Sequence, residues 1–263
     1  MITHISAAAL LLFALTASGA TLFQQNFENT HTGTSVSTTN LAFSELAWAG
    51  YFGNANESTA VGPSSSVPNR AGALRSTSGP NGSASGNNSY IFAQTTSTTT
   101  NDFFFHISSS TEQPGNQFAE FSPSAYTSLT ATWKANSTNF SSGSVFFAVE
   151  TGGSWYVTTT SYRGDATPSV NLLTSTWKSM SHTTAGVGSL DFNASSAFTY
   201  SQLFGGGQFI TGVGFYIDEF AVPPGSSLTT YRIDDLLIDG VPEPLSGTLG
   251  VLGIALLASR RKR

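Results

Sequence analysis

Two antiparallel β-sheets packed face to face are the fold this sequence predicts for its body, and three observations predict it. Apolar and polar residues alternate with period two in many short runs, the pattern of strands with one buried face. The runs are separated by segments rich in Gly, Ser, Asn and Pro, the residues that turns favour. No segment between Thr21 and Gly240 carries the 3.6-residue periodicity of a long amphipathic helix.

Taken in order, the predicted strands begin with Leu22–Phe27, Ala47–Phe52, Tyr90–Gln94, Phe103–Ile107 and Phe118–Phe121. In the next run Leu129, Ala131 and Trp133 share one face, and Thr130, Thr132 and Lys134 the other. Val145, Phe147 and Val149 form another buried face, and Trp155 and Val157 alternate with Tyr156 and Thr158. Gly152-Gly153 falls between these two runs, so residues 145–156 read as a hairpin. Trp177–Met180 follows, then Val213, Phe215 and Ile217 alternating with Gly214, Tyr216 and Asp218, and finally Tyr231–Asp239. The first and last runs are expected to pair near the chain ends. Residues 53–89 and the Thr/Ser tract 94–101 read as long surface loops of one domain. This order of short strands resembles jelly-roll domains of the concanavalin-like and carbohydrate-binding-module type, a resemblance of fold pattern only.

Composition removes several functions. Of ten Lys and Arg, four are the last four residues, and fifteen Asp and Glu oppose the rest. A body this acidic offers no basic face, which excludes a nucleic-acid partner. Cysteine is absent, so neither disulfides nor thiolate metal sites exist.

Both ends carry targeting signals. An apolar run from Ile5 to Ala17 leads to Ser18-Gly19-Ala20, whose small residues suit signal peptidase cleaving after Ala20. Residues 1–20 are therefore read as a signal peptide and 21–240 as the domain. The C-terminal part, 241–263, contains Pro242-Glu243-Pro244, an apolar stretch from Leu245 to Ser259, and Arg260, Arg261, Lys262 and Arg263. The stretch is somewhat shorter than the ~20 residues of a full membrane helix, and the basic end is a cytoplasmic stop. These three parts in this order resemble the PEP-CTERM sorting signal of Gram-negative bacteria. The resemblance implies a membrane helix over 245–259, recognition through Pro242, Glu243 and Pro244, and handling by an exosortase, a membrane protease. It covers about the last 23 residues and is silent on the body.

Signals of chemistry in the body are sparse. His31, His106 and His182 stand in no metal spacing, and no GxSxG elbow occurs, so no catalytic residue is assigned. His106, in FFFHIS, reads as a residue at the edge of the core. Asp218-Glu219 and Asp234-Asp235 are adjacent acids; neighbours on a strand point to opposite faces and do not make a glycosidase pair. In Ile233–Ile238 either face places one carboxylate among apolar residues, unless a bulge breaks the alternation, and such a carboxylate needs a partner or a cation. Jelly-roll carbohydrate modules hold a structural Ca²⁺ between first and last strands; by that resemblance Glu28, Asp234 and Asp235 are candidate ligands. Trp48, Tyr51, Trp133, Trp155, Tyr156 and Trp177 are either core or a sugar-stacking platform, with Tyr156 the candidate for exposure. The resulting expectation is a non-enzymatic exported surface or extracellular-matrix protein sorted through its tail. The alternatives are a carbohydrate-binding module acting on exopolysaccharide and a glycan-cleaving enzyme.

Overall fold

Period-two alternation becomes paired strands in the computed structural model, which describes residues 19–27, 47–54, 57–60, 69–75, 89–109, 118–141, 143–164, 166–180, 182–183, 186–187 and 197–243. Among these residues there are a six-stranded sheet, a seven-stranded sheet and a two-stranded ribbon. The six-stranded sheet sets β10 (Ser169–Asn171), β7 (Tyr126–Thr138), β15 (Thr229–Pro242), β5 (Ser89–Thr95) and β4 (Asn69–Arg75) side by side. Its sixth strand, β1 (Ala20–Gln25), pairs with β15. The seven-stranded sheet runs β11 (Trp177–Met180), β9 (Ser154–Thr158), β8 (Ser144–Thr151), β14 (Gly212–Phe220), β6 (Asn101–Ser108), β2 (Ala49–Asn54) and β3 (Glu57–Ala60). The ribbon is β12 (His182–Thr183) with β13 (Gly186–Val187). All these pairings are antiparallel, as predicted.

Side chains from the two facing surfaces fill the space between the sheets. Leu129, Ala131, Trp133 and Ala135 of β7 are buried, while the Thr, Lys and Asn between them are only partly covered. Trp133 lies nearly parallel to Phe147 of β8, ring centroids 5.6 Å apart, and edge-on to Phe215 of β14 at 5.1 Å. One indole thus joins the sheets through offset and edge-to-face contacts, the geometries aromatic rings prefer.

The first and last described strands converge. Ala20 pairs with Gly240, and Thr21 Oγ1 donates a hydrogen bond to Asp239 Oδ1 at 2.8 Å. One edge of β15 carries both β5, opposite Thr229–Ile233, and β1, opposite residues 236–240. Between the two partners the strand bulges: Asp234 faces Lys134, but Leu237 already faces Thr132. Asp235 takes φ 50°, a left-handed conformation that Asp tolerates better than most residues. The extra residue inverts the alternation, so Tyr231 and Ile233 before it and Leu236 and Ile238 after it all point inward.

The structure corrects several expectations. Residues 53–89 contain two strands, β3 and β4, and part of β5 rather than a loop alone. Phe118–Phe121 is not a strand; Phe121 makes a single bridge to Ile210. β15 runs to Pro242, two residues past the expected end of the domain. The hairpin at Gly152-Gly153 is as expected, both glycines having positive φ (57° and 73°) as a type I′ turn requires. One α-helix, α1 (Tyr200–Phe204), is described. Among the described residues no helix is long and apolar enough to cross a membrane; residues 1–18 and 244–263, where most of the expected signal peptide and the expected membrane segment fall, lie outside them.

Candidate functional site

The seven-stranded sheet is apolar on both faces, and its second face is where chemistry collects. Registers place Tyr51, Phe104, Tyr216 and Phe146 in one row across β2, β6, β14 and β8. They point away from the inter-sheet core and join Ala148, Trp155, Val157 and Met180 in a separate apolar cluster. Trp155 reaches from β9 to His106 and Phe104 on β6, with ring centroids 4.6 and 4.9 Å apart. It does so across Ala148, Gly212 and Gly214, side chains too small to obstruct it. A Cβ at Gly212 would lie 2.9 Å from Trp155 Cη2, and one at Gly214 2.8 Å from His106 Cβ. His106 is accordingly a buried ring in an aromatic group, as its sequence context suggested.

The next row of the same face is acidic. Asp102 of β6 and Asp218 of β14 lie against each other, flanked in register by Gly53 of β2 and Ser144 of β8. A second bulge builds this contact: Ile217 faces Phe103 but Phe220 faces Asn101, and Glu219 takes φ 52°. Its N–H donates to Asp102 Oδ1 at 3.2 Å. Gly143 packs on the bulge, where any Cβ would collide with the carbonyl oxygens of Asp218 and Glu219. Arg163 Nη1 holds the preceding turn by donating to the carbonyl oxygens of Ser141 and Gly143, both at 2.9 Å.

This proximity has an electrostatic cost. Burial, then the charges of Asp102 and Glu219, push the Asp218 carboxyl up to about 6. Burial also raises Asp102, against the lowering effect of the Glu219 N–H and of hydrogen bonds from Tyr216 and Asp218. A carboxyl that holds its proton more tightly in the folded chain destabilises the fold when ionised. The cost is absent below the ordinary aspartate value, grows as pH rises toward 6 and is complete above it. Solvent reaches half-buried Asp218 and screens these charges, which leaves a cost of about 1 kcal/mol. Asp218→Asn is therefore expected to stabilise the body by about 1 kcal/mol at pH 7.5 and hardly at all at pH 4. Urea unfolding at the two pH values checks this; an equal change at both would remove ionisation as the cause.

The opposite end of the sheet carries a looser acidic group. Burial raises Glu150 foremost; its Oε2 accepts from Thr211 Oγ1 at 3.1 Å, and Glu120 adds repulsion. Glu120 Oε1 accepts from Ser109 Oγ at 2.6 Å.

The other predicted site residues are scattered. Asp234 is fully buried and its Oδ1 accepts the Asp235 N–H at 2.8 Å. Asp235 emerges on the outer face and pairs with Lys134 at 2.9 Å, so the structure does not bring the two carboxylates together on one ion. Glu28, the third calcium candidate, lies outside the described residues. Among the described residues no group of three His, Asp or Glu is arranged to hold a metal. Tyr156 does not stand free: it is half-buried, packs on the inter-sheet core and meets Phe198 edge-on at 5.7 Å. Pro242 pairs with Tyr126 and the Glu243 N–H donates to Ala125 O at 2.9 Å, while Pro244 and Arg260, Arg261, Lys262 and Arg263 are not described. Asp102 was not singled out in the sequence. Its signal was parity, since it shares a strand face with Phe104 and His106 as Asp218 does with Tyr216.

No protein-family model matches the chain, and no curated protein matches it. Solved structures that resemble it include a family 11 carbohydrate-binding module from Clostridium thermocellum in complex with a mixed-linked tetrasaccharide. Identity is 12%, the TM-score 0.36, and 76% of this chain and 92% of that one are covered. A solution structure of CtCBM11 gives 10% identity, a TM-score of 0.39 and coverage of 88% and 99%. An exo-β-agarase gives 12% and 0.39, with 86% of this chain matching 25% of the enzyme, so this chain spans a quarter of it. At such identities and TM-scores none of these decides what the chain does; its own residues must.

Proposed function

We propose that the protein is an exported, surface-held module that binds polysaccharide at the Asp102–Asp218 end of its seven-stranded sheet and does not cleave it. The observation that carries this reading is the carboxylate pair itself. A bulge, a glycine without room for a Cβ and an arginine-held turn force two acids together at a cost to the fold, and groups with so perturbed a pKa cluster at functional sites. Gly53, paired with Asp102, brings no side chain between the acids and half-buried Tyr51, which lies diagonally across the sheet. Diagonal neighbours on a sheet stand about 7–8 Å apart, so one sugar lying over this face would reach both, its ring on Tyr51 and its hydroxyls donating to the carboxylates. Tyr51 is backed by the parallel ring of His106, centroids 5.9 Å apart. Hydrogen bonds from hydroxyls to ionised carboxylates are of the stronger, charge-assisted kind. Cleavage asks for a different arrangement, because glycosidase carboxylates stand about 5 Å or more apart across the bond they break. Asp102 and Asp218 instead touch through a hydrogen bond.

Affinity electrophoresis against a panel of bacterial and plant polysaccharides tests the reading. At least one polymer should retard the native protein at pH 7.5. Tyr51→Ala and Asp102→Asn should each weaken that retardation about tenfold, the worth of one good contact. No retardation by any polymer, or unchanged retardation of both variants, would overturn it.

Export and sorting belong to the same proposal. Signal peptidase cleaving after Ala20 would remove one rung of β1, the Ala20–Gly240 pair, and leave Thr21 bonded to Asp239. An exosortase would act at Pro242, Glu243 and Pro244, with 245–259 in the membrane and Arg260–Arg263 inside. A structural Ca²⁺ would be held by Asp234 and Glu28 with backbone carbonyls, since the buried Asp234 carboxylate suits a hard cation. Asp235 is occupied by Lys134. If the ion is bound, thermal unfolding with excess Ca²⁺ should occur above that with chelator; superimposable curves would dismiss it.

A further inference from the structure

The end of the sandwich from which the tail departs has a surface of its own. Phe209 is the one large apolar side chain among the described residues that stands well exposed, at 47%. It follows Gly205-Gly206-Gly207, of which Gly206 and Gly207 have φ 91° and 83°. Position along the chain ties it to the tail. Ile210 exchanges two backbone hydrogen bonds with Phe121, and four residues later Ala125 accepts the Glu243 N–H. Tyr126, next in the chain, pairs with Pro242, and its ring fills the space over Gly240. Half-buried Tyr200, at the start of α1, lies close enough to Glu243 for that charge to raise its hydroxyl, after burial. Phe209, Tyr200 and Tyr126 therefore gather at the end of the fold where β15 stops. The acid pair lies at the other end, because β14 passes Asp218 and Phe220 into the short connection that begins β15.

We infer that this end is a membrane-docking face on which Phe209, Tyr200 and Tyr126 rest in the lipid headgroup layer, holding the acid pair toward the outside. The inference rests on reading 245–259 as the membrane segment. That apolar run starts two residues after Glu243, which the sheet itself holds, so no spacer separates the fold from the bilayer. Amphipathic aromatics favour the membrane–water interface. The exposed charges flanking them, Glu120 and Glu243, are acidic, so the matching surface is zwitterionic rather than anionic. The tether makes lipid the occupant, because the apolar run begins two residues beyond the last hydrogen-bonded residue of this end.

Because the chain has no cysteine, single labels report cleanly. Phe209→Cys and Ser227→Cys, the second in the distal connection, each carry an environment-sensitive fluorophore on the full chain in phosphatidylcholine vesicles. Flotation with the vesicles that is lost on deleting residues 245–263 tests the tail. Headgroup-proximal brominated lipid tests the face. The label at 209 should shift to the blue and lose emission to the bromines, and the label at 227 should do neither. Vesicles with added phosphatidylglycerol should reduce the effect at 209. Flotation without quenching at 209, or equal quenching at both positions, overturns the docking face while leaving the anchor standing. Failure to float overturns both. Quenching of the 209 label by a second labelled chain instead of by lipid would make the face a contact between copies, which also overturns the inference.

Discussion

Trp155→Ala is expected to destabilise the body by about 3–5 kcal/mol, as large as the loss of a Trp from a central core. Trp155 sits outside the inter-sheet core yet is 6% exposed, and it covers Gly212, Gly214 and Ala148 to touch His106 and Phe104. Removing the indole leaves a trough across three strands whose floor, two glycines and an alanine, offers at most a methyl group to fill it, and cavities that cannot collapse are the costly ones. Gly212→Val attacks the same packing from below and should approach that loss, because its Cβ would contact Trp155 and Glu150 at 2.9 Å. Chemical denaturation midpoints measure both. A loss below about 1 kcal/mol for Trp155→Ala would mean that the indole packs loosely on the sheet.

Deleting residues 245–263 is expected to move the protein completely, from the membrane fraction into the medium. Replacing Pro242, Glu243 and Pro244 by alanine should instead leave it membrane-held and unprocessed. The two outcomes separate anchoring from recognition. Pro242 belongs to β15 and Glu243 is bonded to Ala125, so a processing enzyme reaches these two residues only when the last rungs of the strand open. Immunoblots of fractionated cells report both variants. An alanine variant processed and localised like the native chain would reduce the tail to a plain anchor.

Much of the sandwich was legible because most of its strands bury one face. Leu129, Ala131 and Trp133, or Val145, Phe147 and Val149, point inward as their alternation says. Trp177–Met180 has the predicted ends. What alternation could not convey is a sheet buried on both faces: in β14, Gly214 and Tyr216 are as buried as Val213 and Phe215. Nor does alternation reveal β3 and β4, whose Gly-, Ser- and Asn-rich surroundings read as loop. Their strand character comes from pairing with β2 and β5, a tertiary effect.

The bulges at Asp235 and Glu219, each with its acidic residue at positive φ, account for what was missed at the candidate site. At Asp234-Asp235 the bulge allows inward Ile233 and inward Leu236 to coexist, and it sends the two carboxylates to different environments. At Asp218-Glu219 it breaks the pairing beyond Ile217 and aims the Glu219 N–H at Asp102. The sequence distance from Asp102 to Asp218 spans about half of the domain, so only the β6–β14 register brings them together. Tyr156 failed as an exposed platform for a related reason. Alternation gave its face correctly, opposite Trp155, but Phe198 returns from a distant segment to pack against it.

Asp102 and Asp218 are proposed to bind the hydroxyls of a polysaccharide. The most direct measurement is the carboxyl-carbon NMR titration of Asp218 in the native protein, with and without an oligosaccharide of the polymer that retards it. Without ligand the Asp218 carboxyl should titrate near 6. A ligand that donates hydrogen bonds to the ionised pair favours that state, so by linkage saturation should lower the value and affinity should rise between pH 5 and pH 7 by about tenfold per unit of the lowering. An Asp218 titration unmoved by a saturating oligosaccharide, with affinity flat across that range, would contradict the account.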